Sequence, residues 1–255
     1  MTRRRFYTPA PAYAPGDVLE LPPDESRHAS RSLRLSAGDV VEIFNGKGDC
    51  ALAEVRECPR HAPLLVAVHD ILPPLLGETQ HTITLALPLL KSDKLDDIFS
   101  AATQLGIFRF ALFSSAFCVS NPDGCAVEKR LERWRRIIIE AAAVSGRTVI
   151  PDIIAPVPFC DLLSRIPAGT KSLMPWEGRT DPLLSEILKG LKNGNQSPAS
   201  RVILITGPEG GFHPEETSAA RAAGVHLCSL GPRILRAETA PLAALSIILS
   251  FAGEI

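Results

Sequence analysis

Residues 204–213 read LITGPEGGFH. A β-branched run, RVILIT, leads in from Arg201, and Pro214 follows directly. Three glycines and a proline fill positions 207–211, with one acid, Glu209, among them. A strand, a tight turn and a helix start in this order form the unit of a parallel α/β sheet. In such sheets ligands gather outside the carboxyl ends of the strands. The turn lacks G-x-G-x-x-G, so it is no dinucleotide fingerprint; no G-K-[ST] follows, so it is no P-loop. Pro214 suits the first helical position, and Glu215 and Glu216 suit the positive helix end. Two acids there disfavour a phosphate and favour a neutral or cationic ligand. Taken alone, the stretch reads equally well as a plain strand–helix turn.

A second loop strengthens the ligand reading. LGPRILRAETAPLAALS, 230–246, follows the apolar run VHLCSL and again opens on Gly-Pro. It gathers Arg233, Arg236, Glu238 and Thr239, with Thr239 the predicted helix cap and Pro241 inside the first turn. Two such loops after two strands of one sheet point to a shared pocket.

The alternation extends outward from these loops. HTITLALPLL from His81 reads as a strand. SDKLDDIFSAATQLG then sets Leu95, Ile98, Phe99, Ala102 and Leu105 on one helical face. Ser92 or Asp93 is the predicted cap of that helix and Gly106 its stop. IFRFALF is the next strand and VEKRLERWRRIIIEAAAVSG a long helix with a basic outer face. The stretch 151–200 carries little pattern apart from SLMPWEG, read as a short strand and loop. Residues 81–255 are thus expected to form a parallel sheet covered on both faces. Residues 1–72 differ: DVVEIFNG and CALAEVREC alternate around an Asn-Gly turn, PLLVAVHDIL adds a third strand, and DESRHASRSLRL is one short helix capped by Asp24. That is the pattern of a small β-barrel. The boundary falls in PPLLGETQ, Pro73 to Gln80.

The chain has 255 residues and a formal net charge of −1, so nucleic-acid contact must come from local patches. Arg3, Arg4, Arg5, Arg27, Arg31 and Arg34 are candidates, the last three sharing a face at i, i+4 and i+7 of a helix. Six cysteines, none in C-x-x-C spacing, argue against a zinc site or disulfide framework. They read as small, mostly buried hydrophobes in a reducing compartment. No apolar segment follows the basic N-terminus, and APLAALSIILSFAG is shorter than the roughly 20 residues of a membrane span. A soluble, cytoplasmic protein without metal or membrane attachment is expected.

GPEGG at 207–211 followed by LGPRILRAETA at 230–240 resembles the ribosomal RNA small subunit methyltransferase E family of the SPOUT superfamily. RRFYTP, RHASRSLRLSAGDVVEIFNGKG, LLKSDKLDDIFSAATQLGI and SGRTVIPDI extend the resemblance over the chain. It implies a PUA-like β-barrel followed by a trefoil-knotted α/β domain, a homodimer, S-adenosyl-L-methionine as methyl donor, and uridine N3 of 16S rRNA as acceptor. Carried over by position, Thr206, Gly207, Glu209, Gly210 and Thr239 meet the cofactor, and Leu230, Gly231, Ile234 and Leu235 enclose its adenine. Glu209 faces the sulfonium or holds the loop by accepting backbone N–H bonds. Arg236 stabilises the charge on the uridine ring, and Glu209 is a candidate base. The chain departs from the family pattern where charged or polar residues are common: Ala101 and Gln104, Ser115 and Ala116, Ala143 and Val144. These six are expected to be neighbours that changed together. The departures keep open a different RNA target, or a non-catalytic RNA-binding or assembly protein that retains the cofactor pocket.

Overall fold

A computed structural model describes residues 4–58, 62–73, 78–90, 92–118, 124–177, 181–192 and 201–255. The chain forms two compact units: Met1–Glu78 with Ile139–Ile150, and Thr79–Ile138 with Pro151–Ile255.

The first unit holds β1 (Arg5–Tyr7), β2 (Val18–Glu20), β3 (Val40–Phe44), β4 (Cys50–Glu57) and β5 (Leu65–Leu72) in the order β1-β3-β4-β5-β2. This is an open half-barrel, with β1 parallel to β3 and the other pairs antiparallel. Phe6, Ile43, Ala51, Ala53, Val55, Val66 and Val68 fill its core, as the alternation requires. The Asn45 side chain builds the hairpin turn. Its Oδ1 accepts from Lys47 N at 2.8 Å and Asp49 N at 3.0 Å, and its Nδ2 donates to Asp49 at 2.8 Å. Ile139–Ile150 is tied in through Arg147, whose guanidinium donates to Glu78 Oε2 at 2.8 Å. The other Glu78 oxygen accepts from Thr148 N and Val149 N, each at 2.9 Å. Burial raises the Glu78 pKa, but these donors outweigh it and hold the carboxyl below its usual range.

The helix expected over DESRHASRSLRL is two pieces, α1 (Pro23–Arg27) and a π-helical turn, His28–Ser32. Pro22, not Asp24, takes the cap position, with Pro23 as the first helical residue; Asp24 pairs with Arg27. Leu33 N donates to His28 O at 3.2 Å, widening the turn, and Leu35 N donates to Ala29 O at 3.0 Å. Arg34 lies between at φ 53°, the one described non-glycine residue with positive φ. The i, i+4, i+7 stripe is therefore broken: Arg27 is α-helical, Arg31 π-helical, and Arg34 beyond both.

The second unit alternates β6 (Thr82–Pro88), α2 (Ser92–Gln104), β7 (Arg109–Ser114), α3 (Gly124–Ser145), β8 (Asp152–Pro158), α4 (Phe159–Ser164), β9 (Lys171–Pro175), α5 (Leu184–Lys192), β10 (Arg201–Ile205), α6 (Pro214–Ala222), β11 (His226–Cys228) and α7 (Thr239–Ala252); the end of α3 belongs to the first unit. The strands run parallel in the order β11-β9-β10-β6-β7-β8. The chain steps outward from β6 to β8, returns to β9, and inserts β10 between β9 and β6. One face carries Ile203, Ile205, Phe113 and Met174, packed with Phe159, Leu163 and Ala220 of α4 and α6. By alternation Val202 and Leu204 point to the other face, where α7 meets β10, α2 and α5. α7 follows β11 at the sheet edge yet packs on central β10, so its lead-in loop crosses back over the strand ends, giving a knot-like sheet. Gly106 stops α2 as expected, at φ 95° with Ile107 N donating to Ala102 O at 3.1 Å. The low-pattern stretch 151–200 proves to hold β8, α4, β9 and α5. Among the described cysteines Cys50 and Cys228 are buried but Cys160 is exposed, so burial is less general than expected.

Candidate active site

The loop after β10 starts with Thr206, whose N–H donates to Ala86 O of β6 at 3.1 Å. This residue is 1% exposed, and its Oγ1 has no hydrogen-bond partner among the described residues. Gly211 N donates to Pro208 O at 2.9 Å, closing a β-turn with Glu209 and Gly210 at its corners. That geometry is why an acid stands in so bare a turn: from the corner the Glu209 carboxylate reaches Lys94 Nζ at 3.1 Å. The glycines answer to the protein's own side chains. A Cβ on Gly207 would lie 2.9 Å from the Phe212 ring, and one on Gly210 would lie 3.0 Å from Phe117 Cβ. Positive φ falls on Gly211, at 74°.

Helix α6 begins on a capping box. His213 Nδ1 accepts from Glu215 N at 3.3 Å, and Glu216 Oε2 accepts from His213 N at 2.9 Å. Glu216 also accepts from Ser115 Oγ and Ala116 N, each at 3.0 Å. The loop after β7 is thereby fastened to the loop after β10. It lays Phe117, 45% exposed, beside Gly210 and against the His213 ring.

The second loop leaves β11 through Ser229, whose N–H donates to Pro182 O at 2.9 Å. Gly231 stands at φ 111° with nothing near its missing Cβ. Leu230 and Leu235 are half-buried, and Ile234 is 83% exposed. Arg236 O accepts from Thr239 N and Ala240 N, both at 2.9 Å, while its side chain is exposed. Glu238 occupies the cap position of α7, so Thr239 is the first helical residue rather than the cap.

One side chain links the two loops. Lys94, in the first turn of α2, puts Nζ 3.1 Å from Glu209 Oε1 and 3.4 Å from Glu238 Oε2. The Glu209 hydrogen bond is the chief reason the Lys94 pKa is raised. Glu238 is held below its usual range, first by its own backbone N–H, then by Lys94 and Arg236 against the effect of burial. Arg236 Nη1 is 3.8 Å from Glu238 Oε1. Sequence reasoning passed over Lys94. The signal was a cation in a helix's first turn, where the helix dipole disfavours it unless acids compensate. No described backbone N–H donates to the Glu209 side chain, so its loop-holding partner is Lys94.

The candidate residues of the first unit separate. Arg3 lies outside the described residues. Arg4, Arg31 and Arg34 are exposed, as is Arg27 beside Asp24. Arg5 is taken out of the phosphate-contacting set. Its side chain is 9% exposed, bonds Glu42 Oε1 at 2.5 Å and Ala143 O at 3.4 Å, and covers the Phe44 ring at 5.0 Å. The six altered positions divide between the two units. Ala143 and Val144 belong to the first unit; Gln104 bonds Ser100 at 3.3 Å, while Ser115 and Ala116 bond Glu216. Among the described residues no group of three or more His, Cys, Asp or Glu is arranged to hold a metal ion. No described helix is long and apolar enough to cross a membrane.

Two family models match the chain: an RNA methyltransferase domain over residues 77–249 and an RNA methyltransferase PUA domain over residues 21–65. Ribosomal RNA small subunit methyltransferase E of Bacillus subtilis is 35% identical, over 88% of this chain and 87% of the relative. That of Synechocystis is 32% identical, over 92% and 75%. Among solved structures, the Neisseria gonorrhoeae ribosomal RNA small subunit methyltransferase E bound to S-adenosyl methionine superposes at a TM-score of 0.85, with 27% identity over 97% of both chains. A Legionella pneumophila methyltransferase in complex with the bound cofactor SAM gives 0.87, with 28% identity over 98% of both chains.

Proposed function

The chain belongs to the ribosomal RNA small subunit methyltransferase E family, and from that membership we propose that it transfers a methyl group from S-adenosyl-L-methionine to N3 of a uridine in 16S rRNA. The observation that carries this reading is the pair of glycine loops joined through Lys94 at the carboxyl ends of the parallel strands.

The residues fit such a cofactor. Thr206 Oγ1 is buried and lacks a protein partner, and Gly231 faces open space. Leu230, Ile234 and Leu235 offer apolar area for the adenine, and Gly207, Gly210 and Thr239 complete the set. Glu209 and Glu238 supply negative charge for a cationic ligand. When bound, the cofactor supplies the electrophilic methyl carbon. This chain must then stabilise N3 as its proton leaves, because uracil N3–H is mostly protonated at neutral pH. Arg236 takes that role, as an exposed guanidinium on a fixed backbone. Glu209, held by Lys94 Nζ at 3.1 Å, serves as the charge facing the cofactor.

Arg4, Arg27, Arg31 and Arg34, each exposed on the first unit, are together with Arg3 the candidate RNA phosphate contacts. Replacing three of them is expected to lower the salt slope of RNA binding by about one unit per lost contact. Helix α7 carries no charged residue over TAPLAALSIILSFA, and Leu242, Ala243 and Ile247 remain only half-buried. That apolar face supports a homodimer, which light scattering of the purified protein tests. We place the protein in the cytoplasm, where its ribosomal substrate is. Mass-spectrometric nucleoside analysis of 16S rRNA from a strain lacking the protein tests the function: loss of one 3-methyluridine is expected, and an unchanged profile refutes it.

A further inference from the structure

Lys94 stands where three segments meet: the first turn of α2, the corner of the β10 loop and the start of α7. Its ammonium is within 3.4 Å of carboxylates from both glycine loops. Without it, Glu209 and Glu238 would present two unbalanced charges at one site. With it, the trio keeps a net charge of about −1 before the more distant Arg236 is counted.

The two small molecules this site must handle differ by one charge. On the reading proposed above, the methyl donor is a sulfonium cation. Transfer breaks the S–CH3 and N3–H bonds, forms N3–CH3, leaves a neutral thioether and releases the N3 proton to water. Net charge beside the site therefore weights donor against spent product. We propose that Lys94 is a positioning residue that sets this preference: it holds Glu209 and Glu238 in place and cancels one of their two charges. The spent product then competes less unequally with fresh donor than it would beside two bare carboxylates.

The test is calorimetry of the full-length protein with S-adenosylmethionine and, separately, S-adenosylhomocysteine. For Lys94→Met, the ratio of product to donor dissociation constants should rise about threefold or more at low salt. The rise should shrink as salt screens the charges. Lys94→Arg restores a cation and should keep the ratio within about twofold of the parent. Thermal melts of both variants verify folding. An unchanged or lowered ratio in Lys94→Met overturns the proposal. So does an equal loss of affinity for both ligands, which would make Lys94 a loop-shaping residue only. If the parent binds neither ligand, the cofactor reading itself falls.

Discussion

The Glu216 carboxylate accepts the Ser115 hydroxyl at 3.0 Å, across 101 residues of sequence. The same carboxylate caps α6 through His213 N and holds Ala116 N. One acid thus fixes the loop after β7 against the loop after β10. Glu216→Gln keeps the shape but replaces one accepting oxygen by a donor. A loss of about 1–3 kcal/mol in unfolding free energy is expected, together with weaker cofactor binding as Phe117 loosens from Gly210. Denaturant unfolding and calorimetry measure the two; full retention of both would show that Ser115 and Ala116 need no anchor.

Gly210 is required by its neighbour. A Cβ there would lie 3.0 Å from Phe117 Cβ, and the branches of valine would press further into that contact. Gly210→Val should lower cofactor affinity by about tenfold or more, a cost in the range of core overpacking. Adding Phe117→Ala should recover part of that loss. If the double variant binds no better than Gly210→Val, the constraint lies with the ligand and not with Phe117.

The sequence made the strand–turn–helix order legible because apolar period and glycine placement are local. Both loops, the α2 stop at Gly106 and the Asn45 hairpin were read on that basis. What it concealed depended on partners distant in sequence. Arg5 looked like one of three exposed arginines, yet Glu42 and the Ala143 carbonyl claim its guanidinium. Arg27, Arg31 and Arg34 keep an α-helical spacing, but the π-helical turn spoils it. Lys94 mattered only once Glu209 and Glu238 were brought to it.

A titrating acid adds pH dependence to the first unit. Burial, then Asp24 and Glu140, raise the Glu25 pKa to about 7, against a weaker pull from the Tyr7 backbone N–H. A carboxyl that binds its proton more tightly when folded favours the folded state at low pH. That stability is lost as pH rises from the unfolded value towards 7, because the folded state must then carry a buried charge. Glu25→Gln removes the titration. The variant should match the parent near pH 5 and exceed it by about 1–2 kcal/mol at pH 8. Equal pH profiles of urea midpoints for the two proteins would contradict this.

Arg236 follows the turn of the second loop, and its carbonyl receives two N–H bonds from the start of α7. Its backbone is therefore fixed while its side chain stays 85% exposed. The contact with Glu238, at 3.8 Å, is a weak exposed pair and leaves the guanidinium available to a bound uridine. A guanidinium keeps its charge and presents several donors in one plane, which suits a ring anion with flanking carbonyl oxygens. Arg236→Lys keeps the charge and loses the plane. If Arg236 acts on the transition state, kcat falls about tenfold or more while cofactor affinity stays near the parent value. If it shapes the loop through Glu238, cofactor affinity falls in step with activity. Single-turnover methylation of small ribosomal subunits, beside calorimetry with the cofactor alone, separates the two, and a parallel loss would remove Arg236 from the chemistry.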